Sequence, residues 1–382
     1  MSKIKVLVFT GYYLPGFKGG GPIKTIKNLI EQTNHEINYK VITGDRDLGD
    51  KKRYASILCN RWNRLDSTLV FYASGGMVGL FHICKELRSK CYDVIYLNSF
   101  FSLRFSFLPL LISTLLGKKV IIGPRGEFSE GAMSLKKYKK LFFVNFFKLF
   151  KLHQKVSFQA SSPFEVSDIL RVMGESIDIK VAADLSSREY IDKLELRVPG
   201  PLKAVFVSRV TPIKNLLIAF QILENVSQPI IYDIYGPIED LDYWNQCKDA
   251  IKLLPLHITV NYKGCLSPDS VIKTMSYYDV FFMPTKGENY SHVLTEAFCA
   301  ALPVLTADTT PWRQLEQKGI GWDLPLTNLE DFSVILDELA EMQPPEILEI
   351  RKNVLAWAKV NFSQPDAVSA NVSMFKRVHG QI

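Results

Sequence analysis

The sequence predicts an α/β protein built from two tandem Rossmann-like domains. Short apolar runs rich in β-branched residues alternate with stretches of helical apolar spacing, which is typical of a parallel sheet covered by helices on both faces. The chain has 382 residues, whereas single hydrophobic cores stop growing at roughly 250–300 residues. With 47% apolar and 22% charged residues, the composition is that of a globular chain with room for two cores.

The strand pattern occurs twice along the chain. The first set of predicted strands is Lys5–Phe9, Tyr39–Thr43, Thr68–Tyr72, Val94–Asn98, Lys119–Ile122 and Val156–Gln159. The second set is Ala204–Ser208, Ile230–Tyr235, Ile258–Tyr262, Val280–Pro284 and Pro303–Ala307. A polar segment at 184–201 separates the sets, and residues 329–382 predict helices only. We therefore expect a first domain at 1–190, a second at 191–365, and a C-terminal helix at 366–382 that packs back on the first domain.

Charge, cysteines and apolar runs narrow the class of protein. The net charge of +7 fits an anionic substrate, a membrane surface or a nucleic acid. No nucleic-acid motif is present, so we expect no such partner.

The six cysteines have no metal-ligand spacing, which predicts buried, reduced thiols. The N-terminus lacks the features of a signal peptide, and the longest apolar run, Phe105–Leu116, is shorter than the ~20 residues of a membrane span. We expect a cytoplasmic protein.

The most informative segment follows the predicted strand Val280–Pro284 and opens a helix. It reads Gly-Glu-Asn-Tyr-Ser-His-Val-Leu-Thr-Glu from Gly287 to Glu296. The amides of Ser291–Leu294 are then those of a helix N-terminus, which binds phosphate readily. Glu288 and Glu296, one on each side, could bind the hydroxyl groups of two sugars. The alternative is the start of a surface helix with a solvated Glu288.

A pair of cations follows the first strand of the second half. Arg209 and Lys214 lie in the segment Ser208–Asn215. At a strand exit these side chains can neutralise a diphosphate, and arginine can do so with two parallel hydrogen bonds. The alternative is a solvated loop that carries two cations.

Together the two segments resemble the Arg-x4-Lys and Glu-x7-Glu motifs of the family-4 retaining glycosyltransferases, also called glycosyl transferases group 1. That family has the GT-B fold, so the resemblance implies two domains that face a central cleft. It also implies that Glu288 contacts the donor sugar, that Glu296 holds the ribose hydroxyls, and that Arg209 and Lys214 stabilise the leaving nucleoside diphosphate. No metal and no further cofactor are implied.

The same resemblance implies a donor site around the helix start. Its residues in this chain are Tyr290, Ser291, His292, Val293 and Leu294. The family usually has glycine where this chain has Asn289 and Ser291, which leaves the identity of the sugar open.

Three looser segments also resemble GT-B enzymes. The glycine-rich loop at 15–23 contains Gly19, Gly20 and Gly21, which would lie near the donor phosphate and the acceptor; the alternative is a flexible turn. Gly236 and the pair Gly264-Cys265 end two predicted strands and would lie near the base and ribose; the alternative is that they are turn residues.

Arg125 follows the strand Lys119–Ile122 within Pro-Arg-Gly-Glu. We expect it to be either an active-site cation or one partner of a structural salt bridge.

Two further features bear on metals and membranes. Asp45-Arg46-Asp47 has the Asp-x-Asp form with which other glycosyltransferases hold a cation, but we interpret it as a charged surface loop. Residues 135–155 combine seven lysines with many aromatic residues. On a single helix the aromatics cover one half and the lysines the other, which predicts either an interfacial helix on the inner face of the cell membrane or a core helix with a solvated lysine face.

The function expected from these residues is transfer of a sugar from a nucleotide-sugar donor, most commonly UDP-linked in the family. The acceptor is expected to be a saccharide or a lipid-linked (polyprenyl-linked) saccharide, and the anomeric configuration is expected to be retained. The resemblance suggests a role in bacterial surface polysaccharide synthesis, such as O-antigen or capsule. Two alternatives stay open: a nucleotide-sugar epimerase or hydrolase of GT-B type, and an inactive scaffold of a polysaccharide assembly complex.

Overall fold

The structure of the protein is a computed structural model, and it describes residues 3–89, 91–134, 136–196, 198–363 and 365–380. The chain forms two compact units. Unit 1 comprises Met1–Leu185 and Gln364–Ile382, and unit 2 comprises Ser186–Ser363. Within the described ranges, none of the helices is both long and apolar enough to traverse a bilayer.

Unit 1 contains an eight-stranded sheet of order β3-β4-β2-β1-β5-β6-β7-β8. Its strands are β1 (Ile4–Phe9), β2 (Ile37–Gly44), β3 (Trp62–Leu65), β4 (Thr68–Ala73), β5 (Val94–Leu97), β6 (Lys119–Ile122), β7 (Ser157–Ala160) and β8 (Asp178–Val181). All neighbours pair in parallel except β3 and β4, which form an antiparallel pair. The order reverses between β1 and β5, and such switch points are where ligands bind in doubly wound sheets.

The two strands that the sequence did not predict, β3 and β8, lie at the edges of this sheet. Both are half-exposed and carry polar side chains. An edge strand buries too little surface to require an apolar run, so its sequence resembles a loop.

Helices cover both faces of the unit 1 sheet. They are α1 (Gly21–Thr33), α2 (Gly76–Arg88), α3 (Leu108–Leu115), α4 (Glu130–Ser134), α5 (Lys137–Leu149), α6 (Pro163–Met173) and α13 (Pro365–His379). The side chains of β1 alternate between two cores, as the pleat requires. Ile4, Val6 and Val8 pack with α1 and α13, whereas Leu7 and Phe9 belong to the core that includes α2, α3, α5 and α6.

The C-terminal helix α13 is an integral part of unit 1. Phe375 is fully buried and its ring packs edge-on against Tyr39 and Tyr96. Asn371 is also buried, and it donates to the carbonyls of Ala183 and Ala367. The sequence placed this helix at 366–382, and residues 381 and 382 of that range lie outside the described residues.

Unit 2 contains a six-stranded, fully parallel sheet of order β11-β10-β9-β12-β13-β14. Its strands are β9 (Leu202–Val207), β10 (Ile230–Tyr235), β11 (Ile258–Gly264), β12 (Val280–Met283), β13 (Val304–Ala307) and β14 (Gly321–Leu324). Its helices are α7 (Leu216–Glu224), α8 (Leu241–Ile251), α9 (Val271–Met275), α10 (His292–Cys299), α11 (Glu330–Glu341) and α12 (Pro344–Asn361). The two Rossmann-like sheets confirm the predicted fold class.

The sequence missed β14 because this edge strand is short and begins with a glycine. Gly321 has a φ of +148°, and a Cβ there would lie 2.1 Å from the carbonyl oxygen of Val304. The close pairing of β13 with β14 therefore depends on a residue that usually marks a turn.

The basic aromatic segment differs from the single helix expected over 135–155. Helix α5 spans Lys137–Leu149 and is followed by a short 3-10 turn at Leu152–Gln154, with Lys151 at a left-handed φ of +52° between them. Leu135 lies outside the described residues. The aromatic residues do not share one face, because some are buried and others are exposed.

Candidate active site in unit 2

The candidate site lies at the switch point of the unit 2 sheet, between β9 and β12. The order of strands reverses there, so the loops after these two strands diverge and leave a crevice at their carboxyl ends. The loop after β9 carries Arg209 and Lys214, and the loop after β12 carries Glu288. The two motifs that the sequence singled out therefore meet at one edge of one sheet.

Lys214 and Glu288 form a buried ion pair at this point. The Lys214 ammonium donates to Glu288 Oε1, and the two side chains are 12% and 8% exposed. The Thr285 hydroxyl lies 3.2 Å from the same carboxylate oxygen and can donate its single proton either to that oxygen or to the nearby carbonyl of Ile213. Burying either charge alone would cost free energy, and each charge of the pair offsets that cost for the other. An ammonium has three donors, so Lys214 can bind a phosphate oxygen and keep its contact with Glu288.

Two polar residues that the sequence analysis did not single out hold this geometry. Asn215 has a left-handed φ of +65° and donates from its side chain to the carbonyl of Pro284 at 2.9 Å. Thr285 Oγ bonds to the carbonyl of Ile213 at 3.0 Å, and the amide of Lys286 donates to the same carbonyl at 2.8 Å. Asparagine tolerates left-handed backbone better than most residues, which is the only sequence signal that could have indicated Asn215.

Helix α10 begins beside Glu288 and points its N-terminus at the crevice. Its N-cap, Ser291, has a φ of +62° and makes no side-chain cap bond. The Ser291 hydroxyl is buried and has no hydrogen-bond partner among the described residues. The amide of Leu294 already donates to the carbonyl of Ser291 at 3.0 Å. Of the predicted phosphate donors, the Leu294 amide is therefore already used within the first turn of the helix.

Aromatic side chains hold the loop that precedes α10 in place. The Tyr290 hydroxyl lies 2.5 Å from Ser186 Oγ, and the Trp312 indole N–H donates to the Tyr290 carbonyl at 2.6 Å. The rings of Tyr290 and His292 pack edge to face at 5.0 Å. These contacts support the loop, and a donor-binding role of Tyr290 and His292 stays a prediction. Glu296, one turn further along α10, is buried.

The loops after β10 and β11 complete the edge of the site. Gly236 has a φ of +139°, and its amide donates to the carbonyl of Gly264 at 2.8 Å. A Cβ on Gly236 would lie 1.8 Å from the carbonyl oxygen of Ser208. Only glycine allows the three loops to approach so closely. The next residue after Gly264, Cys265, is exposed, as is Cys91 in unit 1, so the expectation of buried thiols is wrong for these two cysteines.

Arg209 is not part of the Lys214–Glu288 pair. Its guanidinium donates to Glu239 Oε2 at 2.6 Å in the loop after β10, and both side chains are partly exposed. Solvent screens such a pair, so it is weak and can open for a diphosphate.

The glycine-rich loop of unit 1 lies at the switch point of its own sheet, after β1. The amides of Phe17 and Lys18 donate to Asp47 Oδ2 at 2.8 and 3.0 Å. Gly19, Gly20 and Gly21 lead into α1, and Gly20 is its N-cap with a φ of +68°. Asp47 therefore shapes this loop, and the Gly20 amide closes a turn onto the carbonyl of Phe17 at 3.0 Å. Contact of Gly19–Gly21 with a ligand stays a prediction.

The Asp-x-Asp segment begins a loop that reaches the surface at residues 49–53, but its two aspartates are not exposed as the sequence predicted. Asp45 and Asp47 are both buried. Asp45 pairs with Arg46 and Arg53, each at 2.8 Å, and Asp47 accepts backbone amides. The expectation was wrong because charge-rich sequence suggests exposure, whereas compensated carboxylates can be buried. The described residues contain no cluster of three or more His, Cys, Asp or Glu able to hold a metal.

Arg125 lies inside unit 1 at a left-handed φ of +57°. Its guanidinium pairs with Asp184 and donates to Tyr96, to Gln159 and to Asn98 Oδ1, the last at 2.8 Å. Its side chain is 7% exposed. This geometry favours the salt-bridge alternative, and a catalytic role stays a prediction.

Comparison with known proteins finds a family match within unit 2. Residues 187–354 match the family model of the glycosyl transferases group 1. The matched range includes Arg209, Lys214, Glu288 and Glu296. No curated protein sequence matches the chain.

Solved structures resemble the chain over its whole length. Anabaena HepE in complex with UDP and glucose aligns with a TM-score of 0.71 at 16% identity, over 98% of this chain and 99% of that one. Sucrose-phosphate synthase from Thermosynechococcus elongatus aligns with a TM-score of 0.73 at 11% identity, over 100% of both chains. WaaG, a glycosyltransferase involved in lipopolysaccharide biosynthesis, aligns with a TM-score of 0.61 at 11% identity, over 99% and 100%. The fold is that of GT-B glycosyltransferases.

Proposed function

We propose that the protein transfers a sugar from a UDP-sugar to a saccharide or lipid-linked saccharide, without a metal and with retention of configuration. The observation that carries the proposal is the buried Lys214–Glu288 pair beside the N-terminus of α10. It combines a cation, a carboxylate and backbone donors at a switch point, which are the groups that a nucleotide sugar requires. The UDP and UDP-glucose complexes of HepE support the choice of donor.

In the proposed reaction, charge develops on the departing diphosphate. Lys214 and the first-turn amides of α10 are already oriented by packing, so they stabilise that charge with little reorganisation. Arg209 joins them when its exposed contact with Glu239 opens. Glu288 orients the donor sugar, and Glu296 binds the ribose hydroxyls.

The acceptor and the pathway are the finer part of the proposal. We place the reaction in the synthesis of a bacterial surface polysaccharide, O-antigen or capsule, at the cytoplasmic side of the membrane. WaaG, which shares the fold, is involved in lipopolysaccharide biosynthesis, and this supports the choice.

The test separates binding from transfer with two neutral variants. Thermal unfolding is followed with UDP, UDP-sugars and other nucleotides, with and without EDTA. At about 100 times its dissociation constant a ligand adds ~2.7 kcal/mol of stability. Lys214→Gln should lose the UDP shift, whereas Glu288→Gln should keep it, because UDP carries no sugar, and should lose about a hundredfold in transfer rate. Lys252→Gln, an exposed lysine in the same unit, is the matched control.

Each other outcome selects a rival. No shift with any nucleotide would favour the scaffold. Turnover of the donor without an acceptor would indicate the epimerase or hydrolase, and a shift that EDTA abolishes would overturn the metal-free mechanism.

A further inference from the structure

We propose that unit 1 docks on an anionic membrane surface through a second, exposed apolar face of α5 together with the N-terminal turns of α2. The proposal extends the proposed function by naming the surface on which a lipid-linked acceptor would be reached. Docking itself does not require the transfer reaction, so the two can fail separately.

The first apolar face of α5 is already used by the core. Val144 and Phe147 are buried, and Phe143 packs against the rings of Phe100, Phe101 and Phe107 at 4.9–5.8 Å. One such stripe is what a surface helix of a globular protein needs. The remaining apolar residues of α5 are therefore not explained by the fold of unit 1.

A second apolar stripe lies on the opposite side of the helix. Tyr138, Phe142 and Leu149 are 88%, 74% and 77% exposed. With Asn145 they are spaced four, three and four residues apart, so they form one row along α5. Phe150, just after the helix, is exposed as well. Leaving such side chains in water forgoes the stabilisation that their burial would provide, which indicates a partner that covers them.

The charges around this stripe identify the partner. Lys137 and Lys148 flank it on one side and Lys139 on the other at helical spacing, and Lys136 and Lys151 lie at its ends. Residues 136–155 contain no acidic residue. An apolar row bordered by lysines is complementary to a bilayer with anionic headgroups. A second copy of the chain would instead place the same lysines against each other.

Neighbouring helices extend the apolar surface. On α2, the side chains of Met77, Val78 and Phe81 are exposed, and Leu103 is exposed in the π-helical turn that precedes α3. The turn belongs to the same layer as α5, because its Phe107 contacts the rings of Phe143 and Phe146. Helix α2 does so because its buried Ile83 and Leu87 share a core with the buried residues of α5. On the opposite layer, the described residues of α1 and α13 include no exposed large apolar side chain. Among the described helices of unit 1, the exposed large apolar residues thus lie in the layer of α5.

The experiment is co-sedimentation of the full chain with vesicles of phosphatidylcholine alone or mixed with phosphatidylglycerol. We expect binding to the mixed vesicles and its loss at high salt. Phe142→Ser combined with Leu149→Ser should weaken binding by at least about tenfold. Lys137→Ala combined with Lys139→Ala should weaken it roughly 30-fold. Leu253→Ser combined with Leu256→Ser removes equally exposed apolar residues of unit 2, and this control should bind as the wild type does.

Circular dichroism and the UDP thermal shift show that each variant is folded. The proposal is overturned if the wild type does not bind mixed vesicles, or if the stripe variant binds them as well as the control does. It is also overturned if light scattering shows a dimer that the stripe variant dissociates. Vesicle binding without any nucleotide response would uphold docking and reject the transferase.

Discussion

At the scale of single residues, the sequence predicts which charged side chains belong to the candidate site, but it does not predict which of them form ion pairs. The sequence indicates both Lys214 and Glu288 as site residues, yet only the structure shows them as one buried pair. Arg209 was grouped with Lys214 by spacing, whereas it contacts Glu239 instead. Spacing predicts which loop a side chain leaves from, but the rotamer and the partner depend on what packs around it.

Cys265 offers a test of the nucleotide site at this scale. At pH 8, iodoacetamide should label the exposed Cys265 and Cys91 and spare the buried Cys247 and Cys299, because burial raises the pKa of the latter two thiols to about 11 and about 12. Only the thiolate reacts, so these two stay unreactive until the pH approaches those values. UDP should slow the labelling of Cys265 at least about tenfold, as expected for occupancy well above its dissociation constant.

Peptide mapping by mass spectrometry measures the labelling. Cys91, in unit 1, is the internal control, and UDP should leave its rate unchanged. Equal protection of both cysteines, or of neither, would place the base away from the loop after β11.

At the scale of elements, the parallel core strands were predicted because they are buried on both faces and therefore read as continuous apolar runs. The edge strands β3, β8 and β14 were not, because each has only four, mostly half-exposed residues, whereas the seven-residue edge strand β11 was predicted. The helix start at Ser291 was predicted, but its left-handed backbone was not, since serine does not signal it. Because the sequence does not indicate this backbone conformation, only the structure shows that the Leu294 amide donates to the carbonyl of Ser291.

The loop after β10 gives a prediction for this scale. Gly236→Ala would place a methyl group against the Ser208 carbonyl at a φ of +139°, so we expect it to lower the free energy of unfolding of unit 2 by about 3 kcal/mol and to abolish the UDP thermal shift. Gly287→Ala, with open space around the new methyl group, should change the free energy of unfolding by less than ~1 kcal/mol. Urea denaturation of both variants measures the difference, and equal losses would contradict the close approach of the loops.

At the scale of the whole molecule, the division into two units follows from chain length and from the repeated strand pattern. The membership of α13 in unit 1 brings together residues far apart in the chain. Phe375 packs on Tyr39 and Tyr96, and Lys376 pairs with Glu36. Unit 1 therefore needs both ends of the chain before its core is closed.

This arrangement predicts where a core substitution acts. Phe375→Ala should cost about 3–5 kcal/mol of the stability of unit 1, because the ring is fully buried. Unit 2 should keep its response to UDP, since Phe375 lies outside its core. Calorimetry with and without UDP distinguishes the two units. Phe298 is a fully buried ring of unit 2, so Phe298→Ala should lower the stability of unit 2 and leave that of unit 1 unchanged. Loss of the UDP response in Phe375→Ala would contradict the separation of the cores.

The sequence by itself determined the fold class, the two sets of strands, the acidic and basic motifs of the candidate site and the aromatic, lysine-rich character of residues 135–155. These features are local, because they depend on apolar period, on residue type and on position after a strand. Only the tertiary structure decided which charges meet, that Asp45 and Asp47 are buried, that Arg125 lies in an internal network, and that α5 has two apolar faces of which one is exposed. Each of these depends on contacts between residues distant in sequence, and burial and pairing energies arise only when those contacts form.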